Sequence, residues 1–394
     1  MLRSFTLQNF QSFREPVRIS FELNGHSPED DRSAKSAVGA RLSKAMAIIG
    51  PNASGKTTLI KSLAFMDWFM KHSFHAKPDA TIPLSAHFTA QNEASEFEME
   101  FELDSKEWRY RLNASSERVY SESLHVKQSR VYSYVFTRDW DPARKGYIIK
   151  QQQFGLLQKE AEKVRENASL ISTASQYDVE LALKLTSTLL FSNVNGMGRN
   201  TMDHDQIIRA SEYYAKNTDI RAQMAALLKQ WDFGLSDVRL EKRSITRENG
   251  QTEEIHVPIG VHQIAGKEHF LFLIQESSGT QGAFLLLSKI LPALQKGGVV
   301  VIDELEADLH PHMLTPLLDL FFSPRTNPHA AQIIFTCHSI EVLSLLHKAQ
   351  VVLVEKDANG ESAAWRLDTV KGVRADDNLY AKYMAGAYGA VPQL

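Results

Sequence analysis

Gly50-Pro51-Asn52-Ala53-Ser54-Gly55-Lys56-Thr57 fits the pattern G-x-x-x-x-G-K-[ST], and the residues on either side of it decide the fold. Ala45-Met46-Ala47-Ile48-Ile49 before it is short and wholly apolar, as a buried strand is. Thr58-Leu59-Ile60-Lys61-Ser62-Leu63-Ala64 after it reads as the first turns of a helix running to about Met70. A strand, a glycine-rich turn and a helix N-terminus present converging backbone N–H groups to an anion. Gly50 and Gly55 permit the sharp turn, where a side chain would block the phosphates. Lys56 is placed to reach the β- and γ-phosphates, and the Thr57 hydroxyl to ligate Mg²⁺. The stretch from Gly50 to Thr58 is therefore expected to bind a nucleoside triphosphate, ATP or GTP.

A second stretch supplies the chemistry such a loop lacks. Val299-Val300-Val301-Ile302-Asp303-Glu304 is an apolar run ending in two carboxylates. The run suits a parallel strand buried on both faces, and its C-terminal end lies where α/β sheets bind ligands. Asp303 is placed to hold Mg²⁺ through its water shell. Glu304 is then free to orient or deprotonate the attacking water, which Asp303 cannot do while tied to the metal. Gln332-Ile333-Ile334-Phe335-Thr336 is another buried strand of the same pattern, so Cys337-His338-Ser339 at its end should face the nucleotide. Glu276-Ser277-Ser278-Gly279-Thr280-Gln281 precedes the apolar helix Phe284 to Leu291, about twenty residues before the acidic strand. A Ser-Gly turn at a helix start is an anion site, though alone it marks only a cap.

Composition sets limits on this reading. At 394 residues the chain has ample length for a sizeable core, and length alone allows two or three domains. A net charge of −3 argues against a broadly cationic surface, so nucleic-acid contact would be a local patch. The single cysteine, Cys337, excludes an intramolecular disulfide and fits a reducing cytoplasm. The 14 histidines show no ligand spacing beside cysteine, and no apolar run approaches a membrane span or a secretory leader.

Along the chain, Leu2 to Leu7 and Val17 to Phe21 alternate as half-buried strands, separated by Asn9-Phe10-Gln11-Ser12-Phe13. Residues 24–44 are polar and Gly/Ser-rich, as a mobile loop is. Phe97 to Leu103 and Trp108 to Leu112 pair across Asp104-Ser105, and Val119 to Val126 and Val131 to Phe136 extend the same antiparallel sheet. From about residue 155 the period becomes helical: Leu156 to Leu170, Val179 to Phe191 and Ile207 to Trp231, broken at Asn195-Gly196-Met197-Gly198. Without a sustained heptad seam these predict a compact helical lobe rather than a coiled-coil arm. Val238 to Val257 reads as a hairpin turning at Asn249-Gly250. Its cations Arg239, Lys242, Arg243 and Arg247 read first as a solvated face and second as a nucleic-acid patch. The predicted organisation is 1–150 for the N-terminal part of an ATPase head, 151–236 for a helical insertion and 237–394 for the C-terminal part of the head.

The order of these motifs resembles ABC-type ATPase heads: phosphate loop, Ser-Ser-Gly-Thr-Gln signature, Asp-Glu strand end, Asp308 in Glu306-Ala307-Asp308-Leu309-His310-Pro311, and a switch histidine, His338. The chain is most similar to the SMC/RecF-like branch, and within it to stand-alone bacterial ATPases of the RloA and abortive-infection kind. Asn9 to Phe13 and the ending Gly386-Ala387-Tyr388-Gly389-Ala390-Val391-Pro392 also look like that family. The likeness covers roughly residues 1–150 and 260–394. It implies an α/β P-loop NTPase fold with an antiparallel side sheet, a cytoplasmic Mg²⁺-dependent ATPase, and a homodimer or higher oligomer with ATP sandwiched between heads. Ser278 and Gly279 would then act in trans, Asp308 would sit at the dimer seam and His338 would contact the γ-phosphate. Thr280 stands where the family has a second glycine. Gln128 is a candidate Q-loop residue, with a plain surface glutamine as the simpler reading, and neither Phe10 nor Phe13 is preferred as adenine platform. The resemblance further implies antiviral defence, as sensor or regulator of a separately encoded toxic effector such as a nuclease. The alternative is a RecF-like repair ATPase that binds DNA directly. The 56 residues after His338 are too few for the C-terminal nuclease domain of the overcoming-lysogenization-defect type, since the sheet still needs Val351 to Glu355.

Overall fold

The run Ala45–Ile49 lies inside a sheet, hydrogen-bonded on both sides to parallel neighbours. The structure, a computed structural model, describes residues 1–391 except 189, 197, 201–202, 232, 247–251, 308, 310 and 375. Among the described residues the core sheet runs Leu190–Ser192, Val299–Ile302, Gln332–Thr336, Ala45–Ile49, Val351–Lys356, Ser362–Arg366, with only the last antiparallel to its neighbour. The middles of its inner strands are apolar because both faces are covered, with polar residues only at strand ends: Gln332, Thr336, Glu355 and Lys356. Met46, Ile48, Val301, Ile334, Val352 and Val354 point to one core. Ala45, Ala47, Val300, Ile302, Ile333, Phe335 and Leu353 point to the other.

On the first face lie the phosphate-loop helix Lys56–His72 and a second, antiparallel sheet. That sheet runs Gly146–Gln151, Val131–Asp141, Val119–Gln128, Lys106–Ala114, Ser95–Leu103, Leu2–Gln8, Val17–Ser20. The turn at Asp104-Ser105 has φ of 50° and 57°, the left-handed pair that matches the twist of a two-residue hairpin. On the opposite face lie the helices His204–Lys216, Thr218–Gln230 and Ser278–Lys296. The fold is α/β with an antiparallel side sheet, as the sequence predicts.

Several local expectations are corrected. Residues 24–44 are not a free loop: Ser33–Lys35 pairs with Arg41–Ser43, Leu42 is fully buried, and Ser43 N–H donates to the Phe21 carbonyl at 2.8 Å. The predicted helix from Leu156 to Leu170 is reduced to the single turn Gln158–Ala161. Its second half instead satisfies the loop after the phosphate-loop helix. Arg165 Nη1 donates to the Ala76 carbonyl at 2.9 Å and Asn167 Nδ2 to Lys77 and Ala80 carbonyls at 2.9 and 2.8 Å, the backbone competition that weakens Asn in helices. Val179 to Phe191 divides into the helix Glu180–Thr186 and the strand Leu190–Ser192, which joins the core sheet beside Val299–Val301. Ile207 to Trp231 is two helices, broken at Asn217 (φ −128°, ψ 76°). Among the described residues the apolar side chains of these segments divide between two clusters. Those from Leu156 to Leu185 bury against the antiparallel sheet, Leu190–Ser192 joins the core sheet, and those from Ile207 to Trp231 bury against the helix Ser278–Lys296.

The hairpin is present as Asp237–Thr246 against Thr252–Ile264, with a third strand, Lys267–Phe272, that the pattern did not disclose. Asn249-Gly250 and Arg247 lie outside the described residues. Among the described residues no helix is long and apolar enough to cross a membrane.

Candidate nucleotide site

The loop Gly50–Gly55 leaves the strand Ala45–Ile49 and enters the helix at Lys56, with Ala53 at φ 60° and Gly55 at φ 114° turning its amides to one side. The loop start is pressed onto the neighbouring strand, so that a Cβ on Gly50 would stand 2.0 Å from the Val354 carbonyl oxygen. From the other side Ser362 braces it, with Oγ donating to the Ser54 carbonyl at 2.6 Å and N–H to the Ser12 carbonyl at 2.7 Å.

Lys56 is buried, and its Nζ donates to the carbonyls of Gly50 and Pro51, each at 2.9 Å. Burial pulls this ammonium below the usual lysine range, against the opposing pull of the Asp303 and Glu304 charges. Among the described residues no carboxylate pairs with it, so the charge is kept for an incoming anion. The hydroxyls of Ser12 and Ser54 are buried beside the loop glycines without hydrogen-bond partners.

Thr57 Oγ1 reaches both carboxylate oxygens of Asp303, at 3.1 and 2.9 Å, and Thr336 Oγ1 donates to Asp303 Oδ1 at 2.6 Å. Among the described residues no group of three His, Cys, Asp or Glu side chains stands together as a metal cage. A hydroxyl and one carboxylate are the hard, sparse oxygen set that Mg²⁺ takes when phosphates and waters complete its shell. The residues therefore fit that ion.

Glu304 follows at the strand end with φ 51°, a left-handed conformation costly for a side chain with a Cβ. Thr336 fixes it there, its Oγ1 accepting from Glu304 N–H at 2.7 Å. One Glu304 oxygen lies 3.6 Å from His338 Nε2; the other takes Arg199 Nη1 at 3.1 Å. His338 is held through its own backbone N–H, which donates to Glu306 Oε1.

A cleft of about 750 Å³ collects these groups: Asn52 to Thr58, Asp303, Glu304, Thr336 and His338 line it, with Gln11, Ser12 and Lys356. The loop, the acidic strand end and the histidine, scattered over almost 290 positions, thus meet in one place. Ser278 and Gly279 are not among the lining residues. They open the helix Ser278–Lys296, where Ser277 caps by accepting from Thr280 N–H at 3.2 Å, and Ser278 is exposed. Asp308 lies outside the described residues. Gln128 is an exposed strand end away from the cleft, so the surface-glutamine reading stands. Phe10 and Phe13 are both buried, Phe10 against Phe65 and Phe97, and neither offers a platform.

Sequence reasoning missed Gln11, Ser12, Lys356 and Arg199. Gln11 and Ser12 sit inside a motif noticed for its aromatics. Their polar side chains, with Gln11 Oε1 accepting from Thr58 Oγ1 at 3.2 Å, were the better signal. The three described hairpin cations are each matched by a carboxylate: Arg239 by Glu268 at 2.8 Å, Arg243 by Glu241 at 2.9 Å and Lys242 by Glu254.

Among solved structures the chain is similar to the SMC head domain from Thermotoga maritima, at 16% identity, covering 93% of this chain and 98% of that one, TM-score 0.42. It is similar to an Smc head bound to the C-winged helix domain of ScpA, at 12% identity, covering 94% and 99%, TM-score 0.48. A further likeness is to the Smc head domain with a coiled coil and joint derived from Pyrococcus yayanosii, at 11% identity, covering 98% and 99%, TM-score 0.48. No curated protein matches the sequence. Residues 45–344 match the family described as "AAA domain, putative AbiEii toxin, Type IV TA system". Because that match begins at the strand before the phosphate loop and ends past His338, taking in Glu304 on the way, the chain belongs to this AAA-domain family.

Proposed function

We propose that the chain is a Mg²⁺-dependent ATPase whose sites are completed between two copies of itself. The observation that carries this reading is the single cleft in which Lys56, Thr57, Asp303, Glu304 and His338 converge. The amides of Ser54 to Thr58 and the Lys56 ammonium bind the phosphates. Thr57 and Asp303 would hold Mg²⁺, which supplies charge neutralisation on the phosphate oxygens when bound. Glu304 orients the attacking water and takes its proton on a carboxylate oxygen, and His338 donates to the γ-phosphate. The signature residues Ser278 and Gly279 act on the partner's nucleotide, Ser278 being exposed and both absent from their own cleft. The γ-phosphate joins the two copies, and its loss lets them part, a mechanical signal to a bound protein.

The family description, with its toxin and toxin–antitoxin terms, supports a role in abortive anti-phage defence, as sensor or regulator of a separately encoded effector such as a nuclease. No observation favours the RecF-like alternative of direct DNA binding, since the hairpin cations described are matched by acids.

Glu304→Gln tests the chemistry. It keeps size and hydrogen bonding but removes the base, so it should bind ATP and lose turnover by about a hundredfold or more. Lys56→Ala should weaken ATP binding itself. Hydrolysis by Glu304→Gln at the parent rate would remove Glu304 from the mechanism.

A further inference from the structure

We propose that Arg199 is a positioning residue for the Glu304 carboxylate, which makes Asn193 and Arg199 part of the hydrolytic site. The inference rests on the reading of Glu304 as the base and names what holds it. The strand Leu190–Ser192 pairs in parallel with Val299–Val301, and the pairing does not stop where the strand does. Asn193 N–H donates to the Val301 carbonyl at 3.3 Å. Its side chain then continues the ladder: Nδ2 donates to the Asp303 carbonyl at 3.0 Å while Oδ1 accepts from Asp303 N–H at 2.7 Å. An amide side chain thus stands in for the next strand residue and satisfies both backbone groups of Asp303.

The chain then reverses through Val194–Asn195 against Gly198–Arg199, with Val194 opposite Arg199, and Asn200 N–H returns to the Asn193 carbonyl at 2.7 Å. Arg199 is therefore anchored to the same residue that anchors Asp303. From that anchor its Nη1 reaches Glu304 Oε2 at 3.1 Å, leaving Oε1 on the side of His338. One oxygen is fixed and the other is presented to the cleft. With the backbone N–H of Glu304 tied to Thr336, the residue is held at both ends.

The ion pair is partly exposed, at 29% for the Arg199 side chain and 38% for Glu304, where such a pair adds little to stability. What it fixes is geometry, and a glutamate with three rotatable side-chain bonds loses much of its efficiency as a base when it is free to turn away. A guanidinium serves because its N–H directions are rigid.

The test compares the full-length parent with Arg199→Ala, Arg199→Lys, Glu304→Gln and the double variant Glu304→Gln/Arg199→Ala, reading single-turnover hydrolysis, ATP affinity and thermal midpoint. Arg199→Ala should lower kcat roughly ten- to a hundredfold with ATP affinity and midpoint retained. Arg199→Lys should recover part of the loss. In the Glu304→Gln background the same change should cost nothing further, because no base remains to be positioned. Arg199→Met, which keeps the aliphatic stem, carries the same expectation where Ala disturbs folding. An unchanged or raised kcat overturns the proposal; a raised one would mean that the pair restrains the base. A matching fall in ATP affinity, or losses that multiply in the double variant, also overturns it. Parent-rate hydrolysis by Glu304→Gln would defeat the base assignment itself, whereas its loss beside an unaffected Arg199→Ala defeats this inference alone.

Discussion

At residue scale, Gly50 is glycine for a reason the phosphate pattern does not give. Its absent side chain makes room for protein, since a Cβ would lie 2.0 Å from the Val354 backbone oxygen, a strand atom that cannot swing away. Gly55 is different, because its φ of 114° is itself hostile to other residues, and a Cβ would also meet Ser362 Oγ at 2.6 Å. Gly50→Ala should therefore push the phosphate loop off the strand Val351–Lys356. We expect a loss of about 1–3 kcal/mol, the usual cost of overpacking, with weakened ATP binding. Gly25→Ala, where nothing stands within 4 Å of the added atom, is the control, and thermal unfolding reads both. Thr280, the departure from the second glycine of the signature, also has a physical account. It is buried and its Oγ1 lies 2.9 Å from Ser277 Oγ, so its hydroxyl joins the cap of the signature helix.

At the scale of elements, one buried pair ties the middle of the chain to the antiparallel sheet. Glu122 on Val119–Gln128 and Arg138 on Val131–Asp141 are both fully buried and 3.2 Å apart. Glu122 also accepts from Tyr110 OH at 3.0 Å, Ser169 Oγ at 2.6 Å and Leu170 N–H, while Arg138 donates to the carbonyls of Ala168 and Arg165. The helix Leu170–Ser175 is thereby capped by the sheet it packs on. Glu122→Ala leaves a buried guanidinium without its counter-charge and should cost about 3–5 kcal/mol in denaturant unfolding. A cost below 1 kcal/mol would show that the sheet and this helix are held mainly by apolar contact. The same network explains what was legible. Strands buried on both faces have apolar middles and could be read directly. Phe97 to Leu103 alternates because one face meets the apolar core while the glutamates of the other pair with Arg18, Arg109 and Arg111. The segment from Leu156 to Thr186 covers the sheet in short pieces with polar anchors, Arg165, Asn167 and Ser169, so its apolar spacing suggests long helices where only short ones form. Likewise Lys56, Thr57, Asp303, Glu304 and His338 follow local motifs, whereas Arg199 stands 105 positions from Glu304 and no spacing along the chain marks it.

At the scale of the whole molecule, the signature and the phosphate loop lie on different elements, and only one of them lines the cleft. Each copy on this reading owns two half-sites. Ser278→Arg places bulk and positive charge at an exposed helix start, where it would face the partner's Lys56, yet it leaves its own cleft intact. Alone it should bind ATP and fail to hydrolyse it, and Lys56→Ala should fail for want of tight binding. Mixing the two inactive chains gives a decisive case. In the mixed dimer one site joins the altered loop of one copy to the altered signature of the other, and the second site joins two parent halves. Partial ATPase activity should therefore return on mixing and rise with the fraction of mixed dimer, followed by turnover against mixing ratio. If subunit exchange is demonstrated and no activity returns, either the sites are not composite or both must be competent before either fires. A covalently linked dimer carrying both changes in one half, which leaves each of its sites with a single defect, separates those two. It should be inactive if sites are composite, and about half active if each copy hydrolyses ATP by itself.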